Sequence, residues 1–145
     1  MSTPAVSLRA AAPDDADFLF QVTEACMRAY AEQTWGAWNE EMTRASFTPP
    51  THRIIRWRDQ DIGCLALHEK ADHLVLDKLY ILPAHQNRGI ATRLMRDIIS
   101  EAAAAGKPLR LSVLAVNPAR RFYERAGFVV TQSTAKRHCM EWRSS

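Results

Sequence analysis

The segment from His85 to Thr92 contains the residues best suited to binding a phosphate. An apolar run from Leu74 to Leu82 ends at Pro83, and apolar residues recur at helical spacing from Ile90 onward. The sequence therefore predicts a strand that enters a helix through a short glycine-bearing turn. The first amides of a helix have no internal partner and lie at the positive end of its dipole, so such a turn can bind a phosphate.

Small and cationic side chains support this interpretation. Gly89 removes the side chain that would keep a diphosphate away from the backbone, and Ala91 is nearly as small. Arg88 and Arg93 add two flexible cations nearby. The pattern Gln-x-x-Gly-x-Ala is a weak indication by itself, because glycine turns before helices are common.

The elements around the turn predict one α/β domain that spans residues 1–145. Periodicity and turn residues place strands at 6–9, 52–58, 62–69, 73–82, 109–116, 128–132 and 137–142, with helices at 13–31, 40–47, 90–105 and 119–126. The unit formed by strand 73–82, helix 90–105 and strand 109–116 is a crossover, so these two strands should be parallel. We therefore expect a mixed sheet of about seven strands, antiparallel except for one central parallel pair, flanked by about four helices.

Composition narrows the classes of function. The 19 Lys and Arg residues against 16 Asp and Glu give a net charge of +3, which suits a phosphorylated ligand as well as nucleic acid. The basic residues do not form one face with interleaved aromatics, so a nucleic-acid partner is not expected. The three cysteines are widely spaced in apolar surroundings, which favours reduced core thiols over a disulfide or a metal site. No signal segment or membrane-length apolar run is seen, so we expect a cytoplasmic protein without a membrane partner.

Two blocks of sequence together resemble a known family. The first is the run from Gln86 to Ala91, and the second runs from Asn117 to Phe128 with the form Tyr-x-x-x-Gly-Phe at its end. Their order and separation resemble the Gcn5-related N-acetyltransferase (GNAT) superfamily, and the predicted element order is similar along the whole chain. The resemblance implies an enzyme that moves an acetyl group from acetyl-CoA, its co-substrate, to a primary amine.

The same resemblance implies where acetyl-CoA binds. Its diphosphate would contact the backbone amides of Gln86, Asn87, Arg88, Gly89, Ile90, Ala91 and Thr92. Its pantetheine arm would pair with the end of the preceding strand, at Leu79, Tyr80 and Ile81, where the two parallel strands splay apart. Asn117 would lie beside that arm and Tyr123 beside the sulfur. Six positions separate Asn117 from Tyr123, whereas the commoner family spacing is seven.

Acetyl transfer requires polarisation of the thioester carbonyl and protonation of the departing thiolate. A backbone amide between Leu79 and Ile81 can do the first. Tyr123 can do the second, because a phenol with a pKa of about 10 stays protonated at neutral pH. On pattern alone a core role is the simpler interpretation of Tyr123, and it is the resemblance that favours a catalytic one.

A base is harder to identify. A lysine-like amine with a pKa of about 10.4 pays roughly 4.6 kcal/mol to be neutral at pH 7, whereas an α-amine near 7.8 pays about 1. The central strands offer Asp77 and Ser112. Asp77 has the strand parity of Leu79, although a bulge would reverse it. His73, His85 and a water relay are alternatives.

The acceptor side of the site is predicted from two tryptophans. Trp35 and Trp38 lie in the connection between the first two predicted helices, where the resemblance places the acceptor. They either wall the acceptor cleft or cover the core. Glu40 and Glu41 could attract a cationic amine, which can belong to a small molecule or a peptide.

Two further alternatives stay open at this stage. The chain could be a non-catalytic acyl-CoA-binding regulatory domain that has lost turnover, since no base is obvious. An exposed strand at 137–142 could pair with a second copy in a homodimer, or lie within the same sheet.

Overall fold

The computed structural model describes residues 6–47 and 51–144, whose strands form one seven-stranded sheet. Residues 1–4, on which the expectation of no signal segment partly rests, lie outside these ranges. The strands are β1 (Val6–Ala10), β2 (His52–Trp57), β3 (Gln60–Glu69), β4 (Leu74–Ile81), β5 (Leu109–Leu114), β6 (Val129–Ser133) and β7 (Arg137–Trp142). The helices are α1 (Ala16–Trp35), α2 (Glu40–Ala45), α3 (Ile90–Ala105) and α4 (Ala119–Arg125), with short 3-10 turns at Pro13–Asp15 and Pro83–His85.

The strand order is β1-β2-β3-β4-β5-β7-β6, and β4 with β5 is the one parallel pair among the described strands. This confirms the predicted mixed sheet with a central parallel pair and four helices. β7 lies inside the sheet, between β5 and β6, so residues 137–142 are not an edge strand. None of the described helices is both long and apolar enough to cross a membrane.

Both faces of the sheet are covered by helices. The inward side of α3 contributes five buried residues to the larger core: Ile90, Leu94, Met95, Ile98 and Ala102. On the other face, Leu19 and Val22 of α1 pack against Ile54 in a smaller core cluster. Ile54 and its neighbour Ile55 are both fully buried but belong to different clusters. This follows from strand alternation, and it shows why β2 is apolar on both faces.

β4 and β5 separate after a short stretch of pairing. Their register contains only Leu74 opposite Leu109 and Val75 opposite Arg110. β4 then continues to Ile81 without a strand partner on this side, as the resemblance implied. The split leaves strand backbone exposed in the middle of the sheet, where a ligand can replace the missing neighbour.

A bulge in β4 falls at Asp77. Ala66 of β3 is opposite Lys78, but the next residue of β3, Leu67, is opposite Leu76, so Asp77 has no partner. Leu79 packs on the α3 side of the sheet together with Leu76. The parity shared by Asp77 and Leu79 in a regular strand is therefore lost, because Asp77 is itself the extra residue, inserted between Leu76 and Lys78.

Two further elements differ from their predicted bounds. α1 extends to Trp35 and ends at Gly36, whose φ of 78° is the left-handed conformation usual after a helix. Trp35 is therefore helical rather than part of the connection. The turn between β2 and β3 contains only Arg58 and Asp59, both with positive φ, the arrangement that matches the twist of a two-residue hairpin.

Candidate active site

The turn before α3 presents unpaired backbone donors. Gly89 is the N-cap of α3 with φ 77°, and a methyl group built on it would meet no heavy atom within 4 Å. The first backbone bond of the helix runs from Arg93 N to Gly89 O at 3.1 Å. Within the described part of the chain, the amides from Asn87 through Thr92 donate to no backbone carbonyl or side chain. They are the free donors that an anion at a helix N-terminus requires.

The turn is fastened to the end of β4 by side chains. The Gln86 amide donates from Nε2 to Ile81 O at 2.8 Å, and the Cys26 thiol donates to the same carbonyl at 3.2 Å. Burial raises the pKa of Cys26 to about 11, so this thiol stays protonated and can keep donating. Gln86 therefore sets the position of the turn through its side chain. Its own backbone amide, which was predicted to contact the diphosphate, instead donates to Pro83 O at 3.3 Å.

A cavity of about 470 Å³ runs from this turn to α4, and we call it the turn cavity. It contains every residue predicted to bind acetyl-CoA except Arg88. Its lining is Cys26, Met27, Tyr30, Leu79, Tyr80, Ile81, His85, Gln86, Asn87, Gly89, Ile90, Ala91, Thr92, Asn117, Pro118, Ala119, Phe122, Tyr123 and Arg125. The guanidinium of Arg88 instead lies over the Trp57 ring, 4.9 Å from its centroid.

A second cavity of about 390 Å³ lies on the α1 and α2 side of the split, and we call it the tryptophan cavity. Both predicted acceptor residues, Trp35 and Trp38, line it, together with residues of α1, α2, β4, β5 and the start of β7. The other lining residues are Thr23, Met27, Ala31, Met42, Thr43, Ser46, Val75, Leu76, Asp77, Lys78, Leu79, Tyr80, Leu111, Ser112, Val113, Leu114, Asn117, Tyr123 and Arg137. Glu40 and Glu41 are not among them.

The two cavities share five residues: Met27, Leu79, Tyr80, Asn117 and Tyr123. The Asn117 side chain accepts from Ala119 N at 2.9 Å and so starts α4, while its amide nitrogen lies 3.9 Å from the sulfur of Met27. The Tyr123 ring packs edge-on to Phe128 with centroids 5.8 Å apart. The start and the body of α4 thus hold two polar side chains at the junction of the cavities.

Tyr123 has the properties of a proton donor. Burial raises the pKa of its phenol to about 12, because a buried phenolate is poorly solvated. Its hydroxyl makes no hydrogen bond to any residue in the described part of the chain. A protonated phenol without an internal partner is available to a ligand atom placed at the junction of the two cavities.

The candidate bases are spread over several environments. Asp77 is exposed and lines the tryptophan cavity, with its carboxylate 3.9 Å from His68 Nε2. His73 lies outside both cavities and contacts the Asp72 carboxylate at 2.6 Å. His85 lines the turn cavity, and its buried Nδ1 has no partner among the described residues. Among the residues that the structure describes, Asp77 is the one carboxylate in the wall of either cavity.

Trp35 and Trp38 differ in burial. Trp35 is 47% exposed and lies under the guanidinium of Arg137, 5.2 Å from ring centroid to cation. Trp38 packs against Phe20 at 6.3 Å, and its buried Nε1 has no partner in the described residues. An unsatisfied indole donor in a cavity wall is a place where a ligand acceptor gains a hydrogen bond.

Sequence reasoning missed Lys78, which is only 8% exposed and lines the tryptophan cavity. Its ammonium nitrogen is 2.9 Å from Ser46 Oγ, 3.1 Å from His52 Nε2 and 4.5 Å from the centre of the Phe47 ring. Burial lowers the pKa of Lys78, because the charged amine loses its water. The bulge directs Lys78 to the α1 and α2 side of the sheet, where the tryptophan cavity lies. No sequence pattern indicates that a bulge is present.

Comparisons with known proteins identify the class to which this fold and site belong. Residues 50–130 match the family described as the acetyltransferase (GNAT) domain, which is more than half of the chain. The chain therefore belongs to the GNAT family, as the two sequence blocks predicted, and acetyl-CoA is its co-substrate. A search of curated proteins found no significant match.

Solved structures share the fold across almost the whole chain. The PaiA N-acetyltransferase from Thermoplasma acidophilum in complex with coenzyme A is 19% identical, with 97% of this chain and 99% of that chain covered and a TM-score of 0.77. The ribosomal-protein-S18-alanine N-acetyltransferase from Escherichia coli is 15% identical over 97% and 96%, with a TM-score of 0.71. Naa50 from Arabidopsis thaliana, with the bisubstrate analogue CoA-Ac-MVNAL, is 15% identical over 96% and 99%, with a TM-score of 0.70.

The residues of the turn cavity fit coenzyme A chemically. Its free amides at the start of α3 suit a diphosphate, and the unpaired side of β4 suits the amide groups of an extended arm. The open space in front of Gly89 admits a bulky anion to the backbone. The described residues contain no cluster of side chains suited to a metal ion.

Proposed function

We propose that this chain is a single domain, residues 1–145, that transfers the acetyl group of acetyl-CoA directly to a primary amine of a small molecule or peptide in the cytoplasm. The observation that carries the proposal is the meeting of the turn cavity and the tryptophan cavity at Asn117 and Tyr123. An amine in one cavity and a thioester in the other then approach each other in a fixed orientation, which lowers the entropic part of the barrier.

The chain's own residues account for binding. The amides from Asn87 to Thr92 bind the diphosphate, and Gly89 lets it approach them. The backbone of β4 from Leu79 onward binds the arm where β5 has separated, and one amide there donates to the acyl oxygen. When bound, acetyl-CoA supplies an acyl group activated as a thioester.

Proton transfer is assigned to two side chains. Tyr123 donates its phenolic proton to the departing sulfur, which its raised pKa of about 12 permits at neutral and moderately alkaline pH. Asp77 accepts the proton of the incoming amine, directly or through water, since its carboxylate is exposed in the wall of the tryptophan cavity. No side chain needs to form a covalent bond to the acetyl group.

The acceptor is tested by an acetyl-CoA-dependent thiol-release screen. Polyamines, amino acids, aminoglycosides and peptide N-termini are offered as acceptors, and acceptor-free acetyl-CoA serves as the hydrolysis control. We expect release that depends on one acceptor class, with the acetyl group found on that acceptor by mass spectrometry. Peptides are included because one neighbour in fold is a ribosomal-protein-S18-alanine N-acetyltransferase and another is in complex with the bisubstrate analogue CoA-Ac-MVNAL.

One outcome would favour the alternative function. If calorimetry shows that the chain binds acetyl-CoA but no amine accelerates thiol release, it is a non-catalytic acyl-CoA-binding domain. Turnover with any primary amine excludes that alternative.

A further inference from the structure

Basic side chains outnumber acidic ones in the wall of the tryptophan cavity, although the proposed acceptor is itself an amine. Three charged side chains contribute to its wall: Asp77, Lys78 and Arg137. The single carboxylate is exposed and has His68 as its neighbour at 3.9 Å. Two basic side chains therefore face a cavity whose remaining wall is apolar, aromatic or neutral.

Lys78 adds a basic group to the wall that forms no ion pair with a carboxylate of the described residues, although the charge of the neighbouring Asp77 favours its protonated form. Its ammonium nitrogen lies 2.9 Å from the hydroxyl of Ser46 and 3.1 Å from the imidazole of His52. An anion that arrives in the cavity raises the pKa of this amine again and so favours its charged form.

Arg137 reaches the same cavity from the first residue of β7. It donates from Nη1 to Ser112 Oγ at 3.4 Å, and its guanidinium carbon lies 5.2 Å from the centroid of the Trp35 ring. Both contacts favour one orientation of this exposed side chain. No described carboxylate pairs with it. The remaining N–H donors of this guanidinium are free for a carboxylate, which arginine binds through two parallel hydrogen bonds.

These charges act differently on the two ends of an acceptor. Nearby cations disfavour the ammonium form of an amine, which reduces the cost of presenting it as a neutral nucleophile. The same cations repel any second positive charge on the acceptor and attract a negative one. A polyamine is therefore disfavoured, and an amine that also carries an anionic group is favoured.

We propose that the acceptor is an amine that carries a carboxylate, and that Arg137 and Lys78 bind this carboxylate on the walls of the tryptophan cavity. The inference rests on the proposed function, because it identifies the acceptor class of that same site. The amine end then lies at the junction near Tyr123, and the carboxylate lies toward Arg137, where Trp35 orients the guanidinium.

The test uses three acceptors of nearly equal amine basicity that differ at the far end: 5-aminopentanoate, pentylamine and 1,5-diaminopentane. Binding of each to the CoA-loaded protein is measured by calorimetry or tryptophan fluorescence, independently of turnover. We expect 5-aminopentanoate to bind about ten- to a hundredfold more tightly than pentylamine, the range for hydrogen bonds to a charged group, and the diamine to bind most weakly. Equal affinities, the reverse order, or no measurable binding of 5-aminopentanoate would overturn the proposal.

Substitutions show which side chains cause the preference for 5-aminopentanoate. Arg137→Gln should abolish most of the preference for 5-aminopentanoate over pentylamine, and Lys78→Met should reduce it if that variant folds. Arg96→Gln removes an exposed cation from α3, outside both cavities, and should leave the preference intact. An unchanged preference in folded Arg137→Gln would contradict the assignment of Arg137. Failure of the proposed function is a separate result, because it appears as absent thiol release with every amine while the binding order is still measured.

Discussion

The two cavities that meet at Tyr123 are built in different ways. Most of the anion-binding part of the turn cavity comes from one run of six residues, 87–92, and it acts through free backbone amides. The tryptophan cavity takes side chains from six separate elements, α1, α2, α4, β4, β5 and β7. Backbone amides are the same whatever the side chains are, so a site of the first kind requires only small residues and a turn.

This difference explains why one half of the site has a sequence motif and the other half has none. A diphosphate can be bound by the amides of a glycine turn and a helix start, and these residues are consecutive in sequence. An acceptor is recognised by side chains that the fold brings together from residues as distant as Trp35 and Arg137. Substitutions should therefore affect cofactor and acceptor separately on the two sides of the junction.

The largest effect is expected from Gly89→Glu. It places a carboxylate where the diphosphate approaches the amides, and it strains a residue with φ 77°. Calorimetry should show no detectable binding of CoA. Gly106→Glu is the matched control, because Gly106 also has positive φ and open space but lies at the far end of α3. Normal affinity in folded Gly89→Glu would remove the turn from the site.

Tyr123→Phe should produce the next largest effect, in kcat. It keeps the ring packed against Phe128 and removes the proton that the phenol donates, so turnover should fall about 10²- to 10⁴-fold while CoA affinity is retained. The loss should shrink with an acyl donor whose thiol is more acidic. A wild-type rate under conditions where chemistry is rate-limiting would make Tyr123 a packing residue.

The pH profile of the wild-type enzyme provides a second test of Tyr123. A catalytic acid is active while it is protonated, and burial raises the pKa of this phenol to about 12. Activity should therefore rise with pH as the acceptor amine loses its proton, with no falling limb from Tyr123 below about pH 11. A decline of kcat between pH 8 and 10 in a protein that stays folded would assign the acid to another group.

Asp77→Asn should reduce kcat/KM by about a hundredfold for a lysine-like amine at neutral pH, the lower end for general-base catalysis. The loss should become small at a pH above the amine's own pKa, because the neutral amine then needs no base. Asp97→Asn, an exposed residue of α3 outside both cavities, is the control for the loss of one negative charge. A deficit that stays constant with pH would make the effect of Asp77 structural.

The fold was largely predictable because its signals are local and repeat along the chain. The crossover from β4 through α3 to β5 follows from two apolar runs and one helical period, and it fixes the parallel pair. The bulge at Asp77 follows from pairing between β3 and β4, which the sequence does not display. The sequence alone therefore does not distinguish Lys78 from a lysine on the surface, although the bulge places it in a cavity wall.

The position of Trp35 in the tryptophan cavity is a second feature that the sequence alone could not predict. Its place in the tryptophan cavity depends on the length of α1 and on the approach of Arg137 from the other end of the chain. The sequence left the same two roles open for Trp35 and Trp38, whereas the structure gives Trp35 an exposed ring under a cation and Trp38 a half-buried ring that packs on Phe20. Only the packing of distant elements distinguishes the two.

The smallest effects are expected from Trp35→Ala and Trp38→Ala, and they test whether the tryptophan cavity serves the acceptor alone. Trp35 is nearly half exposed, so its loss should leave the melting temperature almost unchanged and raise the acceptor KM about tenfold, with the KM of acetyl-CoA unaffected. Trp38 also packs on Phe20, so Trp38→Ala should raise the acceptor KM and lower the melting temperature.

Trp142→Ala is the control for these two variants, because Trp142 packs against the main core and lines neither cavity. It should lower the melting temperature without changing either KM. If Trp35→Ala instead changed the KM of acetyl-CoA as much as that of the acceptor, the junction at Tyr123 would not separate the two substrates. If it lowered the melting temperature with unaltered acceptor kinetics, the exposed ring would be covering the core, and the walls of the acceptor site would have to lie elsewhere.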